Sequence, residues 1–255
     1  MGEGVGSVAA DVLIHKLEHY TRLSQADRDA CRSLSDARLR HYHPKEDLVR
    51  EGDRPEFIYL ILDGWAGRYK YLPDGRRQIV SFFLPGDLCD MNIFVLREMD
   101  HFIGALSPLK VAQITRGDFE AVTLGNPRLL QALYWDTLVA TAIQREWVLN
   151  VGQRTALERV AHLICEVFVR LRVAGKTSGN RCDWPITHIA LADATGLTPV
   201  HVSRTLQALS GQGMVEFDNR TLRIPDPDAL MEVAMFTSNY LHLAHEGRQI
   251  DSDEE

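Results

Sequence analysis

The sequence predicts an α+β chain in three parts: an antiparallel β-roll, a long helix and a C-terminal winged helix-turn-helix. Three observations predict it. Short β-rich runs at 57–62, 66–71, 78–84 and 109–114 alternate with turn signals at Gly52-Asp53, Asp63-Gly64, Pro73-Asp74-Gly75 and Pro85-Gly86-Asp87. Evenly spaced strands with such turns point to a small antiparallel roll or barrel. An apolar helical pattern then runs from Asn126-Pro127 to Val151. Finally, the stretch 186–209, ITHIALADATGLTPVHVSRTLQAL, breaks into two short helices about a tight turn, and a hairpin pattern follows it. A pair of short helices joined in this way can place its second member in the DNA major groove.

Residues 8–34 carry helical spacing in Leu13, Leu17 and Leu23, with a fresh cap at Ser24-x-x-Asp27. The long helix holds Leu129, Leu130, Leu133, Leu138, Ile143 and Val148, with Trp135 and Trp147 adding large apolar surfaces. That is more apolar surface than a connector needs, so a twofold mate is the simplest cover and homodimerisation through 126–154 is expected. The segment 155–172 reads as another amphipathic helix and 175–180 as a flexible connector.

Within 186–209, small Ala192 faces Gly196 across the turn, Thr198 suits an N-cap and Pro199 suits the first helical position, which has no intrahelical use for an N–H. Val202, Leu206 and Leu209 share the inner face, while His201, Arg204 and Thr205 are expected to point outward. The runs 214–217 and 221–224 flank Asp218-Asn219-Arg220 as a wing with Arg220 at its tip, placed to meet a phosphate. A last helix is expected to start at Asp226-Pro227 and to stop near Gly247. The segmentation is therefore 1–34 for the terminal helices, 35–120 for the roll, 126–154 for the long helix, 155–228 for the winged unit and 229–255 for the last helix and acidic tail.

Of the 255 residues, 45% are hydrophobic and 25% charged, ordinary values for a globular protein with room for two domains. No run nears the roughly 18 apolar residues that span a membrane, and no signal peptide is evident. A cytoplasmic location without membrane partners is expected. Cys31, Cys89, Cys165 and Cys182 are scattered, which argues against a disulfide framework or a cysteine-ligated metal and for reduced thiols. Oxidation at Cys182, just before the helix-turn-helix, would be the one to matter. The net charge of −7 is awkward for a nucleic-acid binder. Part of it comes from the tail Asp251-Ser252-Asp253-Glu254-Glu255, expected to be a solvated end. Between Arg154 and Arg223 acids and bases nearly balance, so affinity for DNA must come from a local patch.

Two motifs compete for attention. His15-Lys16-Leu17-Glu18-His19 matches H-x-x-E-H, which can set two imidazoles on one helical face beside a general base, but no third ligand is evident. His41-x-His43-x-x-Glu46 ahead of a roll suggests a cupin-like metalloenzyme, with its glutamate one residue too close and no histidine after Pro85-Gly86. A β-roll interaction protein with a non-functional winged helix is the other alternative. No catalytic residue, metal or cofactor is assigned.

The order of roll, long helix, helical linker and winged unit resembles the Crp/Fnr family of bacterial transcription regulators. The resemblance covers most of the chain. Its most specific pieces are RTALERVAHLI at 154–164, GLTPVHVSRTLQAL at 196–209 and GMVEF at 213–217, joined in the roll by Glu51-Gly52-Asp53, Gly64 and Pro85-Gly86-Asp87. It implies that the roll is a jelly roll like a cyclic-nucleotide-binding domain, and that a homodimer binds a pseudo-palindromic duplex. It also implies that double-stranded DNA, and with it RNA polymerase, are the partners. In the family a Glu and an Arg of the recognition helix carry most base contacts. Arg204 matches the Arg, able to grip a guanine edge bidentately, whereas Val200 stands at the Glu position. Thr198, Pro199, Val200, His201, Ser203, Arg204 and Arg220 are the expected DNA-contacting residues, Thr198 and Ser203 toward phosphate.

Cyclic-nucleotide members of the family carry Gly-Glu followed about ten residues later by Arg-Ser or Arg-Thr. Asp90-Met91 stands here in place of the first pair and His101-Phe102 in place of the second, with Arg97 out of register. A cyclic nucleotide is therefore not expected, since its charge-assisted contacts are gone. The iron–sulfur members' N-terminal cysteine cluster is absent too. An effector pocket is placed at Asp90, Met91, His101, Gln144 and Arg145, for a small molecule of unknown kind.

Overall fold

The structure, a computed structural model, describes residues 5–91 and 93–243. Helices α1 (Val5–Leu17) and α2 (Gln25–Ser35) open the chain. The predicted break between them is a full capping box, in which the Ser24 hydroxyl accepts from the Asp27 N–H and the Asp27 carboxylate accepts from the Ser24 N–H. Eight strands follow: β1 (Arg38–Tyr42), β2 (Asp47–Val49), β3 (Ile58–Asp63), β4 (Ala66–Tyr71), β5 (Arg77–Phe83), β6 (Leu88–Cys89), β7 (Phe102–Ala105) and β8 (Leu109–Ile114). They form two antiparallel sheets, in the orders β1-β8-β3-β6 and β2-β7-β4-β5. The two sheets are the walls of the roll, and Ile58, Leu60, Ile79, Phe82, Ile103 and Val111 are buried on one face or the other of them. The runs at β3, β4, β5 and β8 are the four predicted strands. The other four are edge or two- to five-residue pieces, too short to carry their own alternation.

Helix α3 (Arg116–Gly125), capped by Thr115 and Asp118, leads into α4 (Pro127–Gln153). The expected roll boundary at 120 thus falls inside a helix that the turn at Ile114-Thr115 begins. Helix α5 (Ala156–Val173) starts on a third box, between Thr155 and Glu158. A hairpin of β9 (Thr177–Ser178) and β10 (Arg181–Asp183) comes next, so the expected connector at 175–180 is ordered backbone pairing. Helices α6 (His188–Thr195) and α7 (Pro199–Gly211), strands β11 (Glu216–Asp218) and β12 (Thr221–Arg223), and α8 (Pro227–Val233) complete the winged unit. Its sheet runs β11-β12-β10-β9. Among the described residues no helix is long and apolar enough to cross a membrane.

The last helix is shorter than the sequence suggests. It stops at Val233, Met235 takes a left-handed φ of 47°, and the chain folds back. Gly247 and the acidic residues 251–255 lie outside the described residues. Apolar Phe236, Tyr240 and Leu241 override helical continuation by burying themselves against α4 and α5. His162 of α5, 1% exposed, lies against the Phe236 and Tyr240 rings at 5.1 and 6.1 Å.

Burial, and then the Arg154 charge, pull the His162 imidazole down to about 3. An unfolded histidine titrates near about 6.5. Below that pH the unfolded chain binds a proton that the fold refuses, so stability is expected to fall as pH drops from about 6.5 toward about 3. The slope from this one group is at most about 1.4 kcal/mol per pH unit. Thermal melts between pH 7 and 5 check this, with His162→Phe expected to flatten the slope. An unchanged slope would mean that Glu146, 3.2 Å away, keeps the imidazole protonated in the fold.

Candidate nucleic-acid interface and sensor cavity

The helix-turn-helix is built from local chemistry. Thr187 caps α6 by accepting from the Ala190 N–H, and Gly196 ends it at φ 65°, ψ 30°. In that left-handed geometry the N–H groups of Gly196 and Leu197 both reach the Ala192 carbonyl. The Thr198 hydroxyl accepts from the His201 N–H, and Pro199 occupies the first turn of α7. Val202, Leu206 and Leu209 are buried as the spacing predicts. Thr205 is not outward: it is 5% exposed, and its hydroxyl donates to the His201 carbonyl at 2.9 Å. A threonine can satisfy its own polar group inside the helix, so spacing alone misplaced it.

Val200, His201 and Arg204 form the exposed face of α7. They rim a groove with Thr198, Ala208 and the start of α5 at Thr155, Ala156 and Leu157. Arg204 makes no ion pair among the described residues, leaving its guanidinium for an external acceptor. In the wing, Asn219 and Arg220 take φ 43° and 67° between the paired Asp218 and Thr221. Two positive φ values in a two-residue loop make the tight hairpin whose twist matches its strands. The Arg220 carbonyl accepts from the Trp184 N–H at 2.7 Å, and its side chain stands exposed at the tip.

Arg159, which sequence reasoning did not single out, holds this reading head in place. Its guanidinium donates to the carbonyls of Asn150 at 3.1 Å, Arg154 at 3.0 Å and Thr195 at 2.8 Å. One cation thereby satisfies the C-terminal ends of both α4 and α6. The roll also touches the head directly. Arg77 of β5 pairs with Asp193 of α6 at 2.7 Å, and Trp65 meets Trp184 edge-on at 5.5 Å.

A cavity of about 280 Å³ lies between the roll and α4, closed by α1, α5 and the returning C-terminal segment. Asp90, Met91 and Gln144 line it. His101 does not: it backs the cavity, with Nε2 2.9 Å from Asp90 Oδ2 and Nδ1 2.7 Å from Asp100 Oδ1. Arg145 does not either, because one residue past Gln144 rotates it to the exposed side of α4. Burial raises the Asp90 carboxyl, but the His101 hydrogen bond and the Arg68 charge outweigh it and hold the group below its ordinary range.

Beside it runs a buried charge cluster. Lys16 pairs with Asp87 at 2.8 Å and Asp136 at 2.6 Å. Arg170 pairs with Asp87 at 2.7 Å and with Glu166 at 3.3 Å. Glu166 also accepts from Trp147 Nε1 at 3.0 Å and the Tyr240 hydroxyl at 2.9 Å. Every cation of the cavity wall, Lys16, Arg68 and Arg170, already holds a carboxylate. Apart from Glu166 and Arg170, one helical turn apart, the paired residues lie far from each other in the chain, so no local spacing predicts their pairing.

Among the described residues the two competing metal motifs make other contacts. α1 ends at Leu17, so His19 lies beyond the helix with Nδ1 against the His15 carbonyl. The Glu46 carboxylate accepts from the His43 N–H in a turn. Among the described residues no group of three or more His, Cys, Asp or Glu side chains is arranged to hold a metal. All four thiols are buried. Burial pushes Cys182 up to about 12, which withholds the reactive thiolate.

The chain matches the family models for a cyclic nucleotide-binding domain over 39–126 and a Crp-like helix-turn-helix domain over 158–233. It is 31% identical over 206 residues to the nitrogen fixation regulation protein FixK of Bradyrhizobium diazoefficiens, covering 77% of this chain and 86% of that protein. It is 28% identical over 227 residues to the transcriptional activator protein FnrL of Cereibacter sphaeroides, covering 86% and 89%. The solved structure of FixK2 from Bradyrhizobium japonicum superimposes with a TM-score of 0.69 at 27% identity, over 77% of this chain and 96% of that one. With these relatives, the roll and the winged head already in place, the chain belongs to the Crp/Fnr family and is a DNA-binding transcription regulator, not an enzyme.

Proposed function

We propose that the protein works as a homodimer in the cytoplasm, reading a pseudo-palindromic duplex through two copies of α7. The observation that carries this is the outer face of α4. Tyr134, Leu138, Val148, Leu149 and Val151 are large, apolar and exposed there, Leu138 at 66% and Val148 at 75%. At 3.6 residues per turn Tyr134, Leu138, Val148 and Leu149 fall within about 100° around the helix, a stripe that water leaves unsatisfied and a twofold copy covers. Two heads would then meet major grooves about one helical turn (~34–36 Å) apart.

In each half, Arg204 grips a guanine edge, while Val200 and His201 face neighbouring base pairs. Thr198, Ser203 and the Arg220 tip take phosphates, and Pro199 sets the start of the helix against the backbone. The cavity walled by Asp90, Met91 and Gln144 is the effector pocket, with His101 fixing Asp90 from behind. Its contacts differ from those of a cyclic phosphate site, as no wall cation is free. Arg145 belongs to the dimer face. RNA polymerase is the partner downstream of DNA binding.

Fluorescence anisotropy with a selected duplex tests the reading. Arg204→Ala is expected to cost about 1–3 kcal/mol at one base pair and to relax the preference there. Uniform weakening across all sequences would assign Arg204 to phosphate instead. A flat dependence of log affinity on log salt would overturn DNA binding by this head.

A further inference from the structure

Val200 is 62% exposed, alone among the large apolar residues of α7. It precedes Arg204 by four residues, so the two side chains share one face a single turn apart. Thr198, His201 and Ala208 line the same groove, and among the described residues nothing covers Val200. Its γ-methyls are held in one rotamer by β-branching within a helix. It has no donor and no acceptor, so it cannot answer any of the polar groups on a base edge. In the major groove only one base displays an apolar group, the C5-methyl of thymine. We propose that Val200 is a specificity-determining residue that packs on a thymine methyl in a base pair neighbouring the guanine held by Arg204. Val200 stands beside Thr198, His201 and Arg204 as the one large exposed apolar side chain of the helix, which matches one methyl, whereas a protein partner would need a wider apolar patch.

This rests on the reading of α7 as the recognition helix. The test therefore begins with a selection from a randomised palindromic duplex library by the full-length protein. The enriched site is expected to contain the Arg204-dependent guanine and an adjacent thymine. Substituting deoxyuridine for that thymine removes only the methyl, and is expected to weaken binding about fourfold per half-site. Val200→Ala should lose the thymine–uracil difference while keeping the melting temperature, because the side chain is exposed. Val200→Glu should move the preference at that position to cytosine, whose N4 amine it can accept. If the wild type enriches the guanine but binds thymine and uracil alike, the role of Val200 is overturned while the DNA reading stands. If no sequence is enriched, both fall.

Discussion

Replacing Arg170 with methionine is expected to destabilise the fold by about 3–5 kcal/mol, the usual cost of removing one partner from a buried ionic cluster. The guanidinium donates to Asp87 at 2.7 Å, to the Phe82 carbonyl at 2.8 Å and to Glu166 at 3.3 Å. Methionine fills much of the volume and satisfies none of these acceptors. Asp87 keeps Lys16, but fully buried Glu166 is left with only the Trp147 and Tyr240 donors. Burial already holds the Glu166 carboxyl above its ordinary range, with Arg170 as the chief opposing charge. Without that charge Glu166 takes up a proton instead. Glu166→Gln in the same chain should then recover part of the loss, and a double-mutant cycle by denaturant unfolding measures how much. A single-variant loss under about 1 kcal/mol would show that the cluster is solvated and does not bind the roll to α5.

The second large effect is expected from Leu138→Glu. The residue is 66% exposed on the described chain, so the fold should be untouched and its melting temperature kept. A carboxylate on the proposed twofold seam would face its own copy and lose hydration. Light scattering should report a monomer. Affinity for a full palindromic duplex should drop by about 10²–10⁴-fold as the second head ceases to be tethered. The slope of log affinity against log salt should fall to about half, because one head neutralises half the phosphates. A variant that stays dimeric with unchanged affinity would move the interface off α4.

Much of this molecule is legible locally. The caps at Ser24, Thr198 and Asp226 and the turn at Gly196 are satisfied by atoms a few residues away, and Pro199 and Pro227 follow two of those caps. Their free energies are therefore nearly independent of the rest of the chain. The recognition face of α7 follows from the same short spacing, with Thr205 the exception because a hydroxyl can hide its own donor.

What the sequence determines by itself is thus the order of elements, the caps that start them and the side chains Val200, His201 and Arg204 offered by α7. What only the tertiary structure decided is how these parts are held. Lys16 and Asp87 meet across 71 positions, Arg170 and Asp87 across 83, and Arg77 and Asp193 across 116. It also decided that the chain after Val233 abandons the helix to bury Phe236 and Tyr240. Helical continuation competes there with the transfer of two aromatic rings out of water, and burial outweighs local propensity. Such long-range pairings depend on which surfaces the fold brings together, and no periodicity along the chain encodes them.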